Sequence, residues 1–261
     1  VIAEAPTIAY TTANVVAVAG VTAVLATTPA TMTVDATNFT GATSFSTDAS
    51  TGLTNFTGLT NAQSATMDGG SGGMGAGYAA TATSATINVS GGTTAGDITV
   101  TGAAITSVAM TASEKTNVVG TIDVAGAKTI TLDAATKFTA TQIDTTATTG
   151  TLTITGAGAV AFTNALDDGI TTVNASGNSG GVTLIGPANS ANASITLSEG
   201  NDTFTTSDDG FAASETFAVN AGGGTSDILI VAAAADINTA GEAARYTNFE
   251  TLRTGASYDG D

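Results

Sequence analysis

The chain has 261 residues, with 22 Asp and Glu against 5 Lys and Arg, a formal net charge of -17, and no Cys, His or Trp. Five scattered cations cannot build the basic face that nucleic acid demands, and the same balance disfavours anionic membrane surfaces. Without His or Cys, the Ser-His-Asp, Cys-His and His-metal arrangements are excluded, and a chain free of thiols is in keeping with export to an oxidising exterior.

The remaining composition is rich in Thr, Ala, Gly and Val and poor in the Leu, Glu, Lys and Arg that fill helix faces, so strand and turn should dominate. In chain order, the first apolar stretch is Ala13 to Ala26. It is shorter than the roughly 18 residues of a membrane helix, and its Val-Ala alternation, broken by Asn14, Gly20 and Thr22, predicts a pair of strands. The chain begins at Val1 rather than Met, which reads as a leader removed by processing or truncation.

From Val34 onward a period takes over. Large apolar residues fall at Phe45, Met67, Ile87, Val108, Ile130, Leu152, Val173, Ile195 and Phe217, in steps of 20 to 22 residues. A second row, offset by about half a period, runs Val34, Phe56, Tyr78, Ile98, Val118, Phe138, Val160, Val182, Phe204 and Ile228, with Val118 taken in preference to Ile122. Around these anchors, Ile87-Asn88-Val89, Ile130-Thr131-Leu132, Leu152-Thr153-Ile154 and Ile195-Thr196-Leu197 alternate apolar and short polar side chains, the mark of half-buried strands. Gly and Asn turns such as Ser90-Gly91-Gly92 and Thr155-Gly156-Ala157-Gly158 separate them.

Short strands at a constant coil length predict an all-β fold, a parallel β-helix (β-solenoid) with about 22 residues per coil. The repeat region is placed at 1–210, with a terminal β module at 211–261. Roughly nine or ten coils stacked about 4.8 Å apart would make a rod on the order of 45 Å long. Tandem antiparallel β-sandwiches, whose strands also recur every 8 to 12 residues or so, are the competing architecture. Two segments depart from the repeat. Asp68 to Gly77 reads as a flexible glycine loop leaving one coil, and Asp236 to Ala244 reads as a short helix capped by Asp236 or Asn238.

For chemistry, paired carboxylates remain open, but a polysaccharide-cleaving enzyme would need aromatic platforms and clustered cations. Here Trp is absent and the cations are Lys115, Lys128, Lys137, Arg245 and Arg253, so no enzymatic activity is expected. The segment Glu199-Gly200-Asn201-Asp202-Thr203-Phe204, followed by Ser207-Asp208-Asp209-Gly210, resembles one half of the repeats-in-toxin nonapeptide. Hard oxygen donors on a glycine turn suit calcium, which makes Asn201, Asp202, Asp208, Asp209 and Asp227 the candidate metal ligands. Asp167-Asp168-Gly169 and Tyr258-Asp259-Gly260-Asp261 are of the same type. For each, the plainer reading is a solvated turn, where Asp, Asn and Gly are favoured with no metal at all. A charge of -17 also makes copies of the chain repel one another, so close association calls for divalent cations or screening.

The C-terminal quarter carries Gly224-Thr225-Ser226-Asp227-Ile228-Leu229-Ile230-Val231, then Ala235-Asp236-Ile237-Asn238, then Tyr246-Thr247-Asn248-Phe249-Glu250-Thr251-Leu252. This resembles the pattern of bacterial surface-layer (S-layer) and related repeats-in-toxin surface proteins. The resemblance implies type I export, calcium-dependent folding, self-assembly into a lattice or filament, and attachment to cell-surface polysaccharide. The expected function is therefore a structural surface-layer or surface-filament protein on the extracellular face of a bacterial cell, assembling with copies of itself and using calcium, with no nucleic acid and no membrane insertion. The alternative is an adhesin or fibre-like β-solenoid that binds glycan.

Overall fold

A computed structural model describes residues 2–3, 23–27, 30–39, 41–188, 192–207, 216–237 and 239–255. The chain is a β-solenoid of about 10 turns, with coils about 22 residues apart and almost no helix. Among the described residues every strand pairing is parallel, as stacked windings of one backbone require.

One 12-stranded sheet runs the length of the rod, from Ile2–Ala3 to Tyr246–Thr247. The opposite wall is built by two sheets in succession. A six-stranded sheet spans Met32–Asp35 to Gln142–Asp144, and a seven-stranded sheet spans Asn117–Val118 to Thr251–Thr254. The two overlap in the coils that begin at Ser107 and Thr129, each of which contributes a strand to all three sheets. Strands Ala218–Asn220, Ile228–Val231 and Thr251–Thr254 continue these same walls, so the described part of 211–261 winds on as further coils.

The apolar rows form vertical stacks inside the rod. Val108, Ile130, Leu152, Val173 and Ile195 lie directly over one another. Towards both ends the stacks slip by two residues: Phe45 lies against Ala65 rather than Met67, and Ile195 against Val219 rather than Phe217. A slip of two keeps the side chain on the inward face, because the pleat repeats every two residues, so all of these residues remain buried. In the second row Ile98 pairs with Ile122, and Val118 belongs to the start of the seven-stranded sheet, where it is exposed. Ile122, and not Val118, is therefore the core residue of this coil: a spacing near 22 fits both, and only the inward face distinguishes them.

Two other expectations are corrected. The glycine-rich segment is not a loop leaving the coil, since Ser64–Asp68 and Met74–Tyr78 are regular strands and only 69–73 turn between them. That turn needs glycine because the neighbouring coil is so close. A Cβ on Gly70 would lie 2.2 Å from the Ser50 carbonyl oxygen, and one on Gly72 would lie 2.2 Å from that of Gly52. The expected helix is split into a 3-10 turn, Ala234–Ile237, and a single α turn, Ala240–Ala243. Its cap is Thr239, in a capping box with Glu242, because a Thr-x-x-Glu pair closes two terminal N–H groups at once; Asp236 lies inside the 3-10 turn and Asn238 lies outside the described residues.

Candidate functional site

In the seven-stranded sheet, the residue at or just before the start of each strand stands at one corner of the rod. Thr183 pairs with Thr203, Thr203 with Ile228 and Ile228 with Thr251, so the preceding residues Val182, Asp202, Asp227 and Glu250 lie in one vertical file. Below Val182 the file continues through Val160 and Phe138. An apolar column thus becomes an acidic one over its last three coils.

The hydrogen bonds explain the change. Each strand begins with an N–H at a buried corner, and an unpaired buried N–H is costly. At Phe138 and Val160 the acceptor is a backbone carbonyl of the next coil, that of Ala159 and Gly181 respectively. From Val182 on it is a carboxylate. The Val182 N–H donates to Asp202 Oδ1 at 2.5 Å, the Asp202 N–H to Asp227 Oδ1 at 2.7 Å, and the Asp227 N–H to Glu250 Oε2 at 2.7 Å. Asp202 also accepts the Ser198 hydroxyl on Oδ1 at 2.6 Å and the Ser198 N–H on Oδ2 at 2.9 Å. Each acid therefore rivets its own coil to the one before.

Asp202 and Asp227 are each 1% exposed. Burial pushes both carboxyl groups above the usual aspartate range; the Ser198 and Val182 donors pull Asp202 partly back, and neighbouring acids push both further up. Both groups hold protons more tightly in the folded than in the unfolded chain. Their contribution to stability is complete below the ordinary aspartate range and is lost as pH rises through the raised folded values. The thermal midpoint is accordingly expected to climb as the medium is taken from neutral to mildly acidic. An Asp227→Asn variant should show a flatter climb, read by circular dichroism; a midpoint that falls over that window in the native chain would contradict the sign.

Of the five candidate calcium ligands, the structure brings Asp202 and Asp227 together in this file. Asn201 is exposed beside them, its Oδ1 accepting the Thr225 N–H at 3.2 Å, and so it too ties one coil to the next. Asp208 and Asp209 lie outside the described residues. Both oxygens of Asp202 already serve protein donors, and among the described residues no three acidic side chains converge as ligands for a metal ion. Asp167 Oδ1 accepts the Gly169 N–H at 2.7 Å, closing its own turn.

Two features escaped the sequence reading. Glu250 completes the acidic file, and the spacing that could have found it is acid-x-apolar in Asp202-Thr203-Phe204, Asp227-Ile228-Leu229 and Glu250-Thr251-Leu252. Asp236, 1% exposed, accepts both the Thr206 hydroxyl and the Ala233 N–H on Oδ2, which binds the 3-10 turn to the strand Thr203–Thr205. Beside it, burial pushes the Tyr246 hydroxyl well above its ordinary range.

At the C-terminal end of the described rod the core comes to the surface. Leu252 stacks on Leu229, yet Leu252 is 60% exposed while Leu229 is only 6% exposed. With Ile237, Tyr246 and Phe249 they line an apolar hollow of about 190 Å³. No helix among the described residues is long and apolar enough to cross a membrane. Compared with known proteins, the chain matches no family model, no curated protein and no solved structure.

Proposed function

We propose that the chain is a structural protein of a bacterial surface layer or surface filament, which assembles with copies of itself outside the cell. The observation that carries this reading is Leu252, an inward column residue left 60% exposed at the end of the described rod, where Leu229, the residue it stacks on, is only 6% exposed. An apolar column end beside parallel strand edges is complementary to another β-coil, and a coil of a second copy would cover it while pairing those edges. Such a contact is head-to-tail and does not close on itself, so it propagates into a fibre or sheet. Calcium enters as the counter-ion that lets surfaces of net charge -17 approach one another.

Electron microscopy of the purified chain with calcium and then with chelator tests the reading. Ordered arrays or fibres are expected with calcium and should disperse on chelation. Leu252→Asp should abolish assembly at every calcium concentration while leaving the circular dichroism spectrum of the rod unchanged, because it puts a charge on the docking face and removes nothing from the covered core. A chain that stays monomeric in all conditions would overturn the proposal.

A further inference from the structure

We propose that copies of this chain also bind side by side, without stagger, through a lysine edge on one rod and an aspartate edge on the next. The proposal rests on the assembly reading above and adds a second direction of contact to it. Among the described residues the strands of the 12-stranded sheet all run the same way. The turns that leave them therefore line up along one edge of the rod, and the turns that enter them along the other. A six-residue strand such as Thr129–Ala134 sets the two edges about 20 Å apart.

Residues 1–114 contain no Lys or Arg, and three of the chain's five cations then fall between Lys115 and Lys137. Lys115 and Lys137 are both exposed and lie on the exit edge, in the turns after Ser107–Ala112 and Thr129–Ala134. The Thr136 hydroxyl donates to the Lys115 carbonyl at 2.7 Å, and the Asn117 N–H to the Lys137 carbonyl at 2.9 Å. The two lysines thus occupy neighbouring coils at one corner. Val118, 36% exposed, stands beside them, and Glu114 is the one acid in these two turns.

The entry edge carries the opposite charge at the same levels. Asp123 ends the last strand of the coil that begins at Ser107, Asp144 ends that of the coil that begins at Thr129, and the two are in register. One coil on, burial pushes the Asp167 carboxyl above the usual aspartate range, and Asp144 and Asp168 push it further. Lys128 is the one cation in the turns of this stretch. Like charges stacked on neighbouring strands repel. Among the described residues, no ion pair joins Lys115, Lys137, Asp123 or Asp144 to another side chain. Lys115 is level with Asp123 and Lys137 with Asp144, and each like-charged pair is one coil, about 4.8 Å, apart. A second rod moved sideways, with no shift along its axis, therefore sets both lysines against both aspartates at once. The contact relieves repulsion on each edge and covers Val118. It joins different surfaces of two copies, so it repeats from rod to rod as an open row and does not close into a dimer. Exposed ion pairs are weak singly, so the rows hold only where the end contact at Leu252 has already aligned many copies.

Carbodiimide cross-linking of the assembled native chain, which joins an amine to a carboxylate only where the two touch, reads the contact when followed by peptide mass spectrometry. Links from Lys115 or Lys137 to Asp123 or Asp144 are expected, and with edges about 20 Å apart they form only between copies. Lys115→Glu combined with Lys137→Glu should reduce sheets to single fibres, and so should Asp123→Lys combined with Asp144→Lys. Mixing these two variants should restore sheets, which no folding defect imitates. Added sodium chloride should likewise release fibres from sheets, because screening weakens the charged edges and not the apolar end. Leu252→Asp forms no arrays but should still give the links at reduced yield, so failure of the end contact and failure of the lateral one read differently. Three results overturn the inference: sheets that persist in the lysine variant, a mixture that stays fibrous, or native arrays without these links, which would assign the lysine edge to some other acidic partner.

Discussion

Asp202→Ala is expected to cost about 3–5 kcal/mol, because it strips the acceptor from two buried N–H groups and a hydroxyl, and each unsatisfied buried donor costs roughly 1–3 kcal/mol. The three donors are the Val182 N–H, the Ser198 N–H and the Ser198 hydroxyl, and all converge on a carboxylate that is 1% exposed. Asp202→Asn should lose less, since its Oδ1 can still accept from Val182 while its amide faces the Ser198 N–H donor. Coils contact chiefly their immediate neighbours, so the damage should stay local. Hydrogen exchange should show protection lost from Val182 through the C-terminal coils while the strands from Ser84–Ser90 to Gly150–Gly156 keep theirs. Uniform loss along the whole rod would show that the corner file is not a local rivet.

Phe138→Ala is expected to cost about 3–5 kcal/mol as well, the range for emptying a large aromatic site in a packed core. Phe138 is fully buried, and its strand Phe138–Ala140 lies in one of the two coils where the six-stranded wall gives way to the seven-stranded one. A cavity there sits at the seam between two sheets that share no strands. Calorimetry is therefore expected to resolve the single unfolding transition into two, one for the coils before the seam and one for those after it. The same truncation at Ile154, away from the seam, should lower the midpoint without dividing the transition. A single sharp transition in the Phe138 variant would mean that the long sheet alone keeps the rod cooperative.

The period of the rod was readable because parallel stacking asks the same thing of every coil. Val108, Ile130, Leu152, Val173 and Ile195 must all fill the same interior position, so they recur at one spacing. What spacing could not settle was the phase. Phe45 against Ala65 rather than Met67 is a slip that leaves the burial pattern intact, so the linear pattern has no information about it. Ile122 and Val118 are both apolar and β-branched and differ in the face they present, which a spacing near 22 does not resolve. The glycines of Asp68 to Gly77 suggested freedom, whereas the contact between successive coils is what requires Gly70 and Gly72.

The acidic file makes the same distinction at the candidate site. Asp202 and Asp227 stood out in the chain as calcium-type turns, since local composition alone reveals an acid beside glycine. That they share a column with Glu250, and that their oxygens close backbone N–H groups of the preceding coil, follows from alignment of residues 20 to 25 positions apart. All-β character, coil length and acidity are properties of single residues and their periodicity, and so are already present in the chain. Strand register, the exchange of one wall for another and the exposed end at Leu252 exist only between coils. They are set by which windings touch, which no local pattern encodes.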